Sequence, residues 1–159
     1  MTRTLPFLRS AIAVLVIFLA AAPVASARPD TAARLQMAWP ASGTVTARFG
    51  EWRGNHRHAG IDIGMLRTLR LRSVLAGTVK RTGYVSGYDG YGQVVLIDLP
   101  GPYTALYAHL SSVRVRPGQH VRKGQRIGLA GCTGSCSGTH LHFEVERRGV
   151  PVDPLQFLR

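Results

Sequence analysis

Five histidines of this chain stand where they can do chemistry together. His56-Arg57-His58-Ala59-Gly60-Ile61-Asp62 forms one cluster, and Thr139-His140-Leu141-His142-Phe143-Glu144 forms another. Tyr107-Ala108-His109-Leu110 lies between them, and His120 stands apart. His140 and His142 fall in a run that reads as a strand. Side chains two apart on a strand share a face, so both imidazoles point one way and Leu141 and Phe143 point to the core. His58 and Asp62 are four apart, which also shares a face on extended chain, with Gly60 allowing a bend between them. A cation held by His58, Asp62 and one histidine of the later pair has two nitrogens and one carboxylate oxygen. That donor set suits zinc in an open catalytic site, with three protein ligands and water in the fourth place.

Spacing alone does not decide the matter. Short strands carry two histidines by chance, and His-x-x-x-Asp is weaker still. Cys132, Cys136 and His140 offer a different zinc set, but an exported chain favours a disulfide between two such cysteines over thiolate ligands. With two cysteines in all, a disulfide scaffold is excluded and one bridge is expected.

The elements that must position these groups are short. Residues 44–49, 77–84, 93–99, 103–110, 126–130 and 140–146 are rich in β-branched and aromatic residues and read as strands. The run 93–99 is nearly all apolar and is expected to be buried on both faces. Pro100-Gly101-Pro102 reads as the tight turn of a hairpin. No window after residue 27 sustains a 3.6-residue apolar period. The expected fold is all-β: a compact, mainly antiparallel sheet domain.

The domain is expected to span 37–159, after a short polar lead-in at 28–36. Residues 1–27 read as a secretory signal peptide. Arg3 and Arg9 supply its positive end, 11–22 its apolar run, and Ala25-Ser26-Ala27 the cleavage site. Twelve apolar residues rise only about 18 Å as a helix, short of the roughly 30 Å hydrocarbon core. No membrane span is therefore expected once the leader is removed. No cysteine sits at the cleavage site, so no lipid attachment is expected there. Without the leader, 18 basic residues oppose 8 acidic ones, a net charge of +10. A basic surface suggests an anionic partner, which for an exported chain is an anionic cell-wall polymer rather than nucleic acid; a codon bias toward arginine, which supplies 18 of the 20 basic residues, accounts for the charge equally well.

His58-Ala-Gly-Ile-Asp62, Tyr107-Ala-His109-Leu110 and His140-Leu-His142-Phe-Glu144, in this order, resemble the three signature motifs of the lysostaphin/LytM-type zinc metalloendopeptidases, peptidase family M23. The resemblance extends to Trp39-Pro40 with Gly43, to residues 123–128 with Gly118 and Gly131, and to Val152-Asp153-Pro154. It covers about residues 37 to 158 and departs at 65–70, which lacks the family's Gly and Pro. It implies that His58, Asp62 and His142 bind Zn2+ and that His109 and His140 are the catalytic histidines. It also implies a secreted, wall-associated hydrolase that cuts peptide bonds in peptidoglycan cross-links or stem peptides. The chain has no His-Glu-x-x-His motif, so the two histidines left unligated are the available proton carriers. His56 and His120 match no ligand position and read as surface residues.

Two other functions compete. A catalytically silent wall-binding or regulatory module of the same fold predicts loss of one or more of the five residues, and all five are present. A biotinyl- or lipoyl-type carrier needs an exposed lysine at a hairpin tip beside methionine. Lys80 and Lys123 are the only lysines, and neither has that setting.

Overall fold

The computed structural model describes residues 35–159 and Met1. Apart from Met1, the expected signal peptide lies outside the described residues, as do residues 28–34 of the lead-in. Among the described residues no helix is long and apolar enough to cross a membrane.

Among the described residues there are eleven strands: β1 (Thr44–Ala47), β2 (Ile61–Gly64), β3 (Arg70–Arg72), β4 (Gly77–Tyr84), β5 (Gln93–Asp98), β6 (Tyr103–Ala108), β7 (Leu110–Val113), β8 (His120–Val121), β9 (Arg126–Ala130), β10 (Leu141–Arg147) and β11 (Val150–Val152). The main sheet runs β1-β2-β10-β6-β5-β4-β8, with β11 paired to β10. A second sheet runs β3-β9-β7. All the pairings are antiparallel, as the sequence led us to expect.

β5 justifies its apolar composition. Val95 and Ile97 belong to the larger core with Ile61, Ile63, Tyr107, Leu141 and Phe143. Val94 and Leu96 pack on the opposite face with Leu106 and Ala108. Each large side chain so buried contributes roughly 1.5–3 kcal/mol. The β5–β6 hairpin turns at Gly101, whose φ of 76° is the left-handed conformation that glycine adopts freely.

Two expectations change. The run 103–110 is not one strand. It breaks at His109, whose φ is 62°, and the chain leaves the main sheet there to enter the second sheet as β7. β2 was not read as a strand at all. Ile61-Asp62-Ile63 does alternate, with both isoleucines in the core, but three alternating residues are too few to stand out as a period-2 signal.

β2, β10 and β6 lie side by side in the main sheet. His142 faces Asp62 across one pairing and Ala108 across the other. Cross-strand partners share a face, so the floor of the site is fixed by strand register.

Candidate metal centre

The three atoms His58 Nε2, Asp62 Oδ1 and His142 Nδ1 form a triangle. Its sides are 3.0 Å between the two histidines, 3.2 Å from His58 to Asp62 and 2.9 Å from His142 to Asp62. All three residues are buried. Two donors about 2.1 Å from a tetrahedral zinc ion stand roughly 3.4 Å apart, a few tenths of an ångström wider than these sides, so a small outward shift of the side chains would seat such an ion.

The tautomers point the same way. His58 Nδ1 lies 2.8 Å from the Arg48 carbonyl oxygen. His142 Nε2 lies 2.8 Å from Glu144 Oε1. Both partners only accept, so both ring nitrogens donate, and the opposite nitrogens present lone pairs to the triangle. Two lone pairs and a carboxylate oxygen then face one another, and this donor set needs a cation between its members. Burial pulls the His142 pKa down, but its bonds to Asp62 and Glu144 outweigh burial and raise it. Burial likewise pushes the Asp62 carboxyl up. Hydrogen bonds with His142 and His58, which a proton bridges where no metal ion does, and with Arg53 overcome that and hold it far below the ordinary carboxylate range. The centre draws positive charge inward from every side.

Gly60 serves a different purpose from the expected bend. Its φ is outside the left-handed region. A Cβ at this position would collide with the carbonyl oxygen of Phe143, so glycine is what lets the chain after His58 press against β10.

His109 and His140 occupy the other wall of the same cleft, of about 430 Å³. Their ring centroids are 4.7 Å apart. His140 falls one residue before β10, in an isolated bridge with Gly131, rather than on the strand. Its Nε2 is 3.8 Å from Asp62 Oδ1, outside the triangle. His109 Nδ1 donates to the Thr133 carbonyl at 2.8 Å, and His140 Nδ1 to the Gly138 carbonyl at 2.7 Å. In both rings Nε2 is therefore left with its lone pair. Burial lowers the His109 pKa against the opposing pull of the Thr133 carbonyl, which keeps that ring neutral at neutral pH.

Sequence reasoning missed the groups that hold these histidines. Tyr91 Oη donates to Glu144 Oε1 at 2.6 Å, locking the carboxylate that orients His142. Arg53 Nη2 reaches Asp62 Oδ2 at 2.6 Å, leaving Oδ1 to the triangle. Thr133 is a hub. Its carbonyl holds His109, its hydroxyl donates to the Leu110 carbonyl at 2.9 Å, and it accepts from the Gln93 N–H at 2.9 Å. Gly92 packs against Thr133 so closely that a Cβ would overlap its backbone. Cys132 and Cys136 are bridged as expected, with Cα atoms 5.4 Å apart, and Gly134 between them takes a φ of 74°. His56 is exposed at the cleft rim, with Nδ1 2.7 Å from Asn55 Oδ1. His120 is exposed on β8 beside Thr78, away from the cleft lining.

The family model for peptidase family M23 matches residues 56–154. Over 121 residues the chain is 42% identical to a lipoprotein NlpD/LppB homolog of Pseudomonas aeruginosa, covering 76% of this chain and 39% of that protein. It is 36% identical over 120 residues to the murein hydrolase activator NlpD of Escherichia coli, covering 76% of this chain and 30% of that one. The match thus spans only 30% to 39% of the length of these relatives. Among solved structures, a zinc containing peptidase from Vibrio cholerae superposes with a TM-score of 0.64 at 31% identity, over 74% of this chain and 37% of that one. The antimicrobial peptidase lysostaphin from Staphylococcus simulans gives a TM-score of 0.65 at 25% identity, over 74% of this chain and 52% of that one.

Proposed function

The chain belongs to peptidase family M23, and from that premise we propose that it is a zinc-dependent endopeptidase of the bacterial envelope. Its substrates are peptide bonds in peptidoglycan cross-links or stem peptides. Residues 37–159 are the working domain, and residues 1–27 direct export. One observation carries the reading: three inward-turned donor atoms, His58 Nε2, Asp62 Oδ1 and His142 Nδ1, share a cleft with two further lone pairs at His109 and His140.

His58, Asp62 and His142 would hold the ion. Bound zinc supplies a Lewis acid for the peptide carbonyl and for water. Glu144 and the Arg48 carbonyl keep the two imidazoles in the tautomers that binding requires. Of the pair His109 and His140, one takes a proton at Nε2 from the attacking water. Oxygen adds to the carbonyl carbon, the C–N bond breaks, and the amine leaves with a proton passed on by the same wall. The other ring would first take up a proton from solvent at its Nε2 lone pair, then donate a hydrogen bond to the oxyanion of the tetrahedral intermediate and keep that proton throughout.

The names of the NlpD relatives favour a second reading, in which the domain activates another hydrolase. That reading predicts no hydrolysis by the protein alone and faster hydrolysis by a partner enzyme. Mass spectrometry of fragments from defined muropeptides, with and without chelator, tests the two. Cleavage abolished by chelator and restored by zinc is the expected result. No cleavage at any zinc concentration would contradict the peptidase reading.

A further inference from the structure

Residues 63–88 and 99–143 contain ten basic residues and no acidic one. The fold gathers four of these bases on or beside the small sheet. Arg70 and Arg72 point outward from β3 on either side of the buried Leu71. Arg72 stands directly opposite Arg126 of β9. Arg114, one residue past β7, is tied to β9 by its N–H on the Ile127 carbonyl at 2.8 Å. Arginine thus recurs at neighbouring positions across the whole sheet. Like charges directly opposite on paired strands destabilise a sheet. Among the described residues no carboxylate pairs with Arg67, Arg70, Arg72, Arg114 or Arg126, and the buried Nε of Arg126 has no hydrogen-bond partner. After burial, the charges of Arg114, Arg70 and Arg72 further lower the pKa of Arg126, as close repulsion requires.

Beside this row runs a groove of about 560 Å³. Its two walls are residues 39–45 and 67–72, joined by the Arg67 N–H on the Ser42 carbonyl and the Arg72 N–H on the Pro40 carbonyl. Arg67, Arg70 and Arg72 line one wall, and Trp39, 43% exposed, lines the other. No residue of this groove lines the metal cleft. An exposed indole is a flat platform for an apolar sugar face, and guanidinium forks match carboxylates. The combination fits a polymer that alternates sugars with anionic groups.

We propose that this groove is a second binding site of the chain. It takes the glycan strand and stem-peptide carboxylates of the sacculus, with sugar on Trp39 and carboxylates on Arg67, Arg70 and Arg72. The identity of the polymer rests on the function proposed above. The site anchors the domain on the insoluble wall while the separate cleft works on a peptide.

The test is co-sedimentation of the zinc-loaded chain with purified sacculi, beside hydrolysis of a small soluble muropeptide that reads the cleft alone. Arg70→Gln/Arg72→Gln is expected to weaken sacculus binding about tenfold, because the two guanidinium contacts are solvent-exposed and screened. Trp39→Ala is expected to weaken it severalfold. Lys80→Gln/Arg81→Gln removes the same charge from β4, outside the groove, and is expected to change binding less than twofold. Wild-type protein should bind poorly to sacculi whose carboxylates have been amidated, an arm that does not depend on any variant folding. Equal loss in both double variants would assign binding to overall charge and overturn the site. Undiminished binding of wild type to amidated sacculi would overturn the carboxylate partner, and full binding by Trp39→Ala would overturn the sugar platform. Absent muropeptide hydrolysis with groove-dependent binding intact would sink the peptidase reading and leave the groove standing.

Discussion

The two walls of the cleft are built by different means. The metal wall rests on strand register: Asp62 and His142 are cross-strand partners on β2 and β10, with β6 on the far side of β10, and His58 joins them from the stretch just before β2, its Nδ1 held by the Arg48 carbonyl. The opposite wall is a product of loops. His109 sits at a strand break with a left-handed φ, a conformation that costs a non-glycine residue about 1–3 kcal/mol and persists only where its surroundings enforce it. His140 precedes its strand. Both are fixed by backbone carbonyls, Thr133 and Gly138, from the one loop that carries the Cys132–Cys136 bridge. A register can be shifted only by moving a whole sheet, whereas a loop is adjusted by a single contact. The walls should therefore fail independently: damage to the sheet side removes the metal, and damage to the loop side removes activity alone.

The largest effect tests the sheet side. His58→Ala should lose most of its zinc and all measurable muropeptide hydrolysis, because a three-ligand centre is left with two. Zinc emission spectroscopy on the folded variant reads this directly. Retained zinc with full activity would remove the centre from the account. On the loop side, His109→Ala should hold close to one zinc per chain while its hydrolysis rate falls about 10² to 10⁴, the usual loss for one proton carrier.

A smaller effect separates orienting groups from ligands. Glu144→Gln keeps the shape of the side chain and removes the charge that Tyr91 and His142 both engage. Zinc affinity should drop about 10- to 100-fold in a chelator competition. An unchanged affinity would make Glu144 a packing residue only. The smallest effect is expected from reducing the disulfide. The chain-entropy model gives about 2 kcal/mol for so short a loop. Thermal unfolding should register that loss, hydrolysis should fall severalfold, and zinc content should stay the same. Loss of zinc on reduction would mean that the two walls are coupled after all.

The same division explains what could be read in advance. The metal wall was legible because its signals are local. His140-x-His142 states a shared face, and His58 with Asp62 states a second pair of donors. β10, β4 and β9 were legible from β-branched runs between glycines. What could not be read depends on contacts between distant positions. Tyr91 meets Glu144 across 53 residues, Thr133 meets His109 across 24, and no short window holds either pair. Arg53 is nine residues from Asp62, in a loop with no period to place it. β2 escaped because its alternation, Ile61-Asp62-Ile63, is only three residues long, and the break at His109 because Tyr107 to Leu110 is apolar on both sides of it. Gly60 looked like a hinge, and its role is to leave room for a neighbouring strand's carbonyl.

The central claim is that His142 binds the ion and His140, two residues away, does not. The measurement that tests it most directly is zinc content beside muropeptide hydrolysis for His140→Ala and His142→Ala, each shown to be folded. The account predicts zinc-loaded, inactive His140→Ala and zinc-free, inactive His142→Ala. A zinc-free His140→Ala with a zinc-loaded His142→Ala would contradict it.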